Sequence, residues 1–257
     1  MRALAYAASD TTVLAKRSLL RIRRQPDLLV GFTIQPIMFV LLFVYVFGGA
    51  IETPGLDYVD FLIPGIIVQS MVFGGFVTAL GLAEDLKKGL IDRFRSLPMW
   101  GPAVLTGRIL ADVGTNVIQL VVMLAVGIAV GFRFATSIPE ILAGIALLLL
   151  IGYAFSWVFA FIGLTASSPE ASNAYGFTIL FPVTFVSSAF VPPETMPDWL
   201  EPIAEVNPFT TMVDAARALF LGTPAGNDVW GAVVWCFVII AVFGGLSVWR
   251  YRRAVTR

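Results

Sequence analysis

Long apolar runs separated by short polar stretches dominate the chain. A helix that crosses a bilayer needs roughly 20 mostly apolar residues. Six runs approach that length: about residues 28–48, 59–83, 103–131, 139–165, 171–191 and 229–249. The pattern predicts an all-α integral membrane protein of six transmembrane helices. The fifth run is the weakest, because it carries Pro182 and the polar residues Thr178, Thr184, Ser187 and Ser188. Proline is tolerated in a span where neighbours satisfy the freed carbonyl. A cytoplasmic N-terminal segment (1–27) and one transmembrane domain (28–257) are the expected division. The first run follows a basic stretch and lacks a small-residue cleavage site, so it reads as a retained span rather than a signal.

The spacing of charge orients the bundle. Lys and Arg concentrate on cytoplasmic loops. Arg2, Lys16, Arg17, Arg21, Arg23 and Arg24 precede the first run. Lys87, Lys88, Arg93, Arg95 and Arg108 lie between or at the ends of the second and third, and Arg250, Arg252, Arg253 and Arg257 follow the sixth. Only Arg133 and Arg217 of the 17 basic residues remain for the other face. Six spans put all three clusters on one side, with both termini cytoplasmic, whereas five or seven would leave one cluster outside.

Three segments between the runs are patterned. Ser9 to Gln25 mixes Val13, Leu14, Leu19, Leu20 and Ile22 with five cations, Lys16, Arg17, Arg21, Arg23 and Arg24. It reads either as a helix lying along the inner leaflet or as a generic basic flank that sets topology. In Glu84 to Pro98, Leu86, Leu90, Phe94 and Leu97 form one helical stripe, and Glu84 and Lys88 form a favourable i,i+4 pair. This segment is either an ordinary charged loop or a lever for another protein. The long outer connection, Val191 to Asp228, is broken early by Pro192, Pro193, Pro197 and Pro202. Its run Phe209 to Leu221 then predicts an amphipathic helix ending at Gly222. That helix either dips into the outer leaflet or packs as a lid.

Inside the runs, Arg108, Asp112, Asn116 and Gln119 fall at i, i+4, i+8 and i+11 and share one face of the third helix. Ionisable groups at membrane depth are costly and face protein or water. Pairing of Arg108 with Asp112 is the structural reading; proton coupling through Asp112 is the functional one, and no second buried carboxylate is apparent to form a relay. Gln35 and Gln69 are further interior polar candidates. Gly127 and Gly131 form a small-xxx-small pair suited to close helix packing.

Composition narrows function. The 257 residues are 58% hydrophobic and 13% charged, far from the balance of a soluble domain. Histidine is absent and Cys236 is the single cysteine, so the commonest general base and metal ligand is missing and no intramolecular disulfide can form. No G-x-x-x-x-G-K-[ST] phosphate loop occurs, since Ala15, Leu86 and Lys87 precede the three lysines. No catalytic constellation, metal site or nucleic-acid partner is expected.

The stretches LIPGIIVQSMVFGG (Leu62 to Gly75), EDLKKGLIDRFRSLPM (Glu84 to Met99), GRILAD (Gly107 to Asp112), NPFTTMVDAARAL (Asn207 to Leu219) and WRYRRA (Trp249 to Ala254) resemble the ABC-2 type permeases, the membrane subunits of ABC exporters. Within them the daunorubicin-resistance type of actinobacteria is the nearest likeness. The resemblance implies a permease in a bacterial plasma membrane, paired with a second copy or a paralogue and with two ATP-binding subunits that carry the ATP and Mg. It implies that Glu84, Asp85, Lys87, Lys88, Gly89, Asp92, Arg93 and Arg95 belong to a coupling helix gripped by the ATPase, and that the N-terminal cations help clamp it. It also implies a substrate path lined by spans one, two and five. The candidates there are Gln35, Phe39, Phe43, Gln69, Phe73, Tyr175, Phe177 and Phe181. The expected cargo is a hydrophobic or amphiphilic drug, polyketide or lipid. A cell-envelope glycan is the alternative within the family, and a stand-alone secondary transporter or channel the alternative outside it. A wide aromatic channel would favour glycans and an apolar cleft drugs or lipids.

Overall fold

A computed structural model describes residues 26–51, 53, 55–88, 103–224 and 226–255. Lys16, Arg17, Arg21, Arg23 and Arg24 of the N-terminal segment lie outside the described residues, as do Gly89, Asp92, Arg93 and Arg95. All regular structure among the described residues is helical. In chain order the helices are α1 (Pro26–Leu42), α2 (Tyr58–Phe73), α3 (Phe76–Lys87), α4 (Ala103–Ala129), α5 (Ile138–Thr165), α6 (Pro169–Phe185), α7 (Glu201–Glu205), α8 (Pro208–Leu221) and α9 (Asp228–Val255).

Four stretches are long and apolar enough to cross a bilayer: Tyr58–Lys87, Leu105–Ala129, Ile138–Thr165 and Asp228–Arg253. The first apolar run is helical too, but α1 holds Pro36 and widens into a π-helical turn at Phe43–Phe47. The fifth, α6, has 17 residues and stops at Phe185, six short of the expected end. Its stop has a visible cause. The carbonyls of Val183 and Val186, past the last helical donors, are taken up by the Asn207 carboxamide, which donates to both, to Val183 at 2.7 Å. Asn207 Oδ1 meanwhile accepts from Phe209 N–H at 2.9 Å and caps α8. One side chain thus closes one helix and opens another. Asn207→Ala is expected to destabilise the protein by about 2 kcal/mol, the scale of a lost cap with orphaned carbonyls, in a thermal-unfolding measurement in detergent.

The second run is not one rod. It breaks at Gly74–Gly75 into α2 and α3, and α3 continues without interruption through Glu84 to Lys87, where Lys88 caps it. The start of the charged segment is therefore an extension of span two. The expected Glu84–Lys88 pair forms, at 3.3 Å. Gly131, expected as half of a helix-packing pair, instead ends the α4 region at φ 116° with open space around it, a backbone conformation that suits glycine. Only Gly127 of that pair packs closely, against Ile63.

Helix α5 is the centre of the bundle. It packs against α2, α3, α4, α6, α8 and α9. Its start is fixed by a capping arrangement in which Glu140 accepts from the Ser137 N–H at 2.9 Å. Near its other end Gly163 lets α3 approach, since a methyl group there would fall on the Ala79 main chain. Around α5 the core gathers Leu62, Ile66, Ile67, Met71, Phe76, Phe159 and Phe220. By contrast α9 turns much of its apolar surface outward, with Trp230, Val234, Phe237 and Val242 exposed, as a lipid-facing helix does.

Candidate functional site

Helices α1, α2, α3, α4 and α6 meet around a narrow cleft lined by Gln35, Pro36, Phe39, Gln69, Ser70, Phe73, Phe76, Gln119, Phe177 and Phe181. Its cavity volume is about 20 Å³, room for about one water molecule. No ionisable side chain lines it. Six of the expected path residues meet here: Gln35, Phe39, Gln69, Phe73, Phe177 and Phe181. Tyr175 lies outside the lining, half exposed on α6, and Phe43 sits further along.

The aromatic wall extends beyond the cleft as a ladder of rings. Phe159 and Phe76 are 4.5 Å apart between centroids, Phe76 and Phe177 4.8 Å, and Phe177 and Phe181 6.5 Å. The series goes on through Phe181–Phe185 at 4.2 Å, Phe185–Phe190 at 4.7 Å, Phe190–Phe43 at 4.8 Å and Phe43–Phe47 at 5.3 Å. These separations are those of favourable aromatic pairs. The i,i+4 spacings Phe39-Phe43-Phe47 and Phe177-Phe181-Phe185 were the available sequence signal. The sequence reading used part of each and missed Phe47, Phe185, Phe190 and Phe76.

Three carboxamides punctuate this wall. Gln69, almost fully buried, donates from Nε2 to Thr184 Oγ1 at 3.2 Å. Gln35 and Gln119 have no hydrogen-bond partner among the described residues. Gln119 shares a face with Arg108, Asp112 and Asn116, as expected, but the four meet different surroundings. Asn116 lies against Gly74 and Gly152. Asp112 is buried and accepts from the Thr78 hydroxyl. Arg108 donates to Asp85 Oδ2 at 2.9 Å and to the Val77 carbonyl at 3.5 Å. Besides Asp112, the expected partner on its own helix, Arg108 thus meets a carboxylate across on α3. Asp85 is itself buried. Of the expected coupling residues, Lys87 and Lys88 are exposed, while Glu84 and Asp85 are half-buried and buried.

On α8, Arg217 is the residue that sequence reasoning passed over. It is 4% exposed on α8. Its Nε donates to the Phe61 carbonyl at 2.9 Å, Nη1 to Asp214 at 2.7 Å and to Ser188 Oγ at 3.2 Å, and Nη2 to the Ser188 carbonyl. Its guanidinium also lies 3.6 Å from the centre of the Phe61 ring. Burial draws the group down to about 10 while Asp214 pushes it up, so it remains a cation at neutral pH. The fork joins α8 to the start of α2 and to the turn after α6. The available signal was a lone arginine on the apolar outer helix.

These features define a helical membrane protein with a narrow, uncharged, aromatic cleft between its helices. Residues 9–221 match the ABC-2 type transporter family. The chain is 35% identical over 250 residues to the daunorubicin resistance ABC transporter permease protein DrrB1 of Streptomyces coeruleorubidus, covering 97% of this chain and 88% of the other. It is 25% identical over 249 residues to a protein of Mycobacterium tuberculosis named "Probable doxorubicin resistance ABC transporter permease protein DrrC", covering 96% and 90%. To the Escherichia coli protein named "Probable multidrug ABC transporter permease YbhR" it is 25% identical over 206 residues, 79% and 55% of the two chains. The chain belongs to the ABC-2 type transporter family. Members of that family are permeases that work with ATP-binding subunits.

Proposed function

We propose that this chain is the membrane-spanning subunit of an exporter that moves hydrophobic or amphiphilic compounds out of the cytoplasm or inner leaflet. Two separate ATPase subunits bind ATP and Mg and drive it. A second copy or a paralogue completes the permease. The chain crosses the membrane six times with both termini cytoplasmic, α1 and α6 being the first and fifth crossings. The segment from Glu84 to Leu97 is the ATPase contact, and the N-terminal cations flank it.

The observation that carries the reading is the cleft. Ring faces supply apolar contact, three carboxamides supply uncharged hydrogen bonding, and the absence of ionisable lining groups disfavours a strongly ionic cargo. Its largely apolar lining supports drug or lipid cargo over glycan cargo.

The test is reconstitution of the full chain with its co-encoded ATPase in vesicles, with daunorubicin as the probe. ATP-dependent movement is expected, and Phe177→Ala is expected to reduce it about tenfold, the scale of one lost aromatic contact. Movement that persists without the ATPase would overturn the exporter reading in favour of a secondary transporter. Asp112→Asn is expected to preserve ATP-driven movement; loss of movement with intact assembly would instead point to proton coupling.

A further inference from the structure

The break in span two divides the cleft wall. Phe73 immediately precedes Gly74–Gly75 and Phe76 immediately follows it. Both rings line the cleft, stacked 5.5 Å apart and 7° from parallel. The helical ladder is interrupted there. Gly74 N–H donates to the Ser70 carbonyl at 3.0 Å, and bonding resumes with Thr78 and Ala79 both donating to Gly75. Below the joint, α3 is tied to α4 through Thr78–Asp112 and Asp85–Arg108. A relative movement of α2 against the α3–α4 pair is therefore absorbed at the two glycines. Such a movement is needed, because about 20 Å³ admits no aromatic compound.

Facing the joint from α4 is Asn116. It is fully buried, and neither its Nδ2 nor its Oδ1 has a hydrogen-bond partner. A methyl group on Gly74 would overlap Oδ1, and one on Gly152 would sit 2.5 Å from Nδ2. The amide is thus held in a slot between two glycines. Both glycines also face the carbonyl oxygen of Met71, in the interrupted turn. A buried amide with no partner is worse than an apolar group of the same shape. Such a group is explained by a second state in which it is satisfied.

We propose that Asn116 is a positioning residue for transport: when the Gly74–Gly75 joint rebends to widen the cleft, Nδ2 donates to the Met71 carbonyl and holds the widened state. The unpaired amide raises the narrow state, and its pairing lowers the wide one. ATP hydrolysis on the partner then has a smaller gap to bridge. The inference rests on the exporter reading given above.

The test uses the full permease–ATPase complex in vesicles. Asn116→Ser and Asn116→Ala leave nearly the same cavity and differ by a hydroxyl that can donate to a carbonyl. Asn116→Ser is expected to keep most of the maximal ATP-driven rate, and Asn116→Ala to lose about tenfold, with unchanged apparent affinity for daunorubicin. In a Cys236→Ala background, spin labels at Asp57→Cys and Leu110→Cys report movement of α2 against α4. Their separation is expected to change on trapping with ATP and vanadate, and Asn116→Leu is expected to abolish the change while melting no lower than the parent. Equal rates for the serine and alanine variants, or a distance change that survives Asn116→Leu, would overturn the proposal. If the unsubstituted complex shows no ATP dependence, the exporter reading falls and the hinge with it. If that complex is active and the variants fail to differ, the hinge alone falls.

Discussion

Replacing Arg217 by alanine is expected to destabilise the protein by about 3–5 kcal/mol, the scale for removing one partner of a buried ion pair. Four acceptors on three segments depend on this one fork: the Phe61 carbonyl, the Ser188 carbonyl, Ser188 Oγ and Asp214. Alanine removes the donors that the Phe61 and Ser188 carbonyls accept from Arg217, and the stacking on Phe61. Net stabilities of domains are about 5–15 kcal/mol, so the loss is a large part of the whole. Lysine restores the charge but not the planar set of donors, and Arg217→Lys is expected to recover less than half of the loss. Thermal unfolding in detergent, together with the amount of protein reaching the membrane, measures both. An Arg217→Ala protein that melts with the parent would show that α8 is held by its apolar face alone.

The second large effect is expected at Asp85. Its side chain and that of Arg108 are 11% and 13% exposed and meet at 2.9 Å. Asp85→Ala removes the carboxylate that Arg108 meets at 2.9 Å, at a cost of about 3 kcal/mol. Asp85→Ala combined with Arg108→Leu is expected to regain most of that, because an apolar pair asks for no solvation. The comparison separates stability from coupling. The double variant is expected to assemble and melt like the parent yet to show ATP-driven transport reduced about tenfold, since α3 and α4 then move without their ionic tie. Full transport in the double variant would reduce the pair to a structural device.

The sequence made some of this legible for a simple reason. Runs such as Ile138–Thr165 and Asp228–Arg253 are long, apolar and bounded by Ser137-Pro139 or by arginines, so length and caps alone define them. The cleft residues Phe39, Phe177 and Phe181 were within reach because the resemblance pointed to the first and fifth apolar runs, both rich in aromatic residues. What was hidden depends on a neighbour far along the chain. Spacing within one helix put Arg108 and Asp112 on one face, whereas the contact of Arg108 with Asp85 comes from another helix and cannot be read from spacing. Gly74–Gly75 looked like two ordinary residues in an apolar run. Their effect appears only when Asn116 and Phe159 press on them from other helices. Asn207 gave a clear capping signal for α8, but its second task, closing α6, required knowing that Val183 and Val186 lie beside it. The ends of α4 and α6 shifted for similar reasons, a glycine at positive φ in one case and a side chain supplied from a distant loop in the other.

The place of α5 has an evolutionary consequence. Six helices pack on it, so a change of volume at one of its inward positions must be matched in several neighbours at once. Drift along that helix is slow by construction. Helix α9 can drift freely so long as its outward side chains stay apolar. If the cleft carries cargo as proposed, the positions open to selection for a new one are the cleft-facing residues of α1 and α6, where Phe39, Phe177 and Phe181 stand away from the central post. A lineage can retune what it carries on two helices while inheriting the rest of the bundle unchanged.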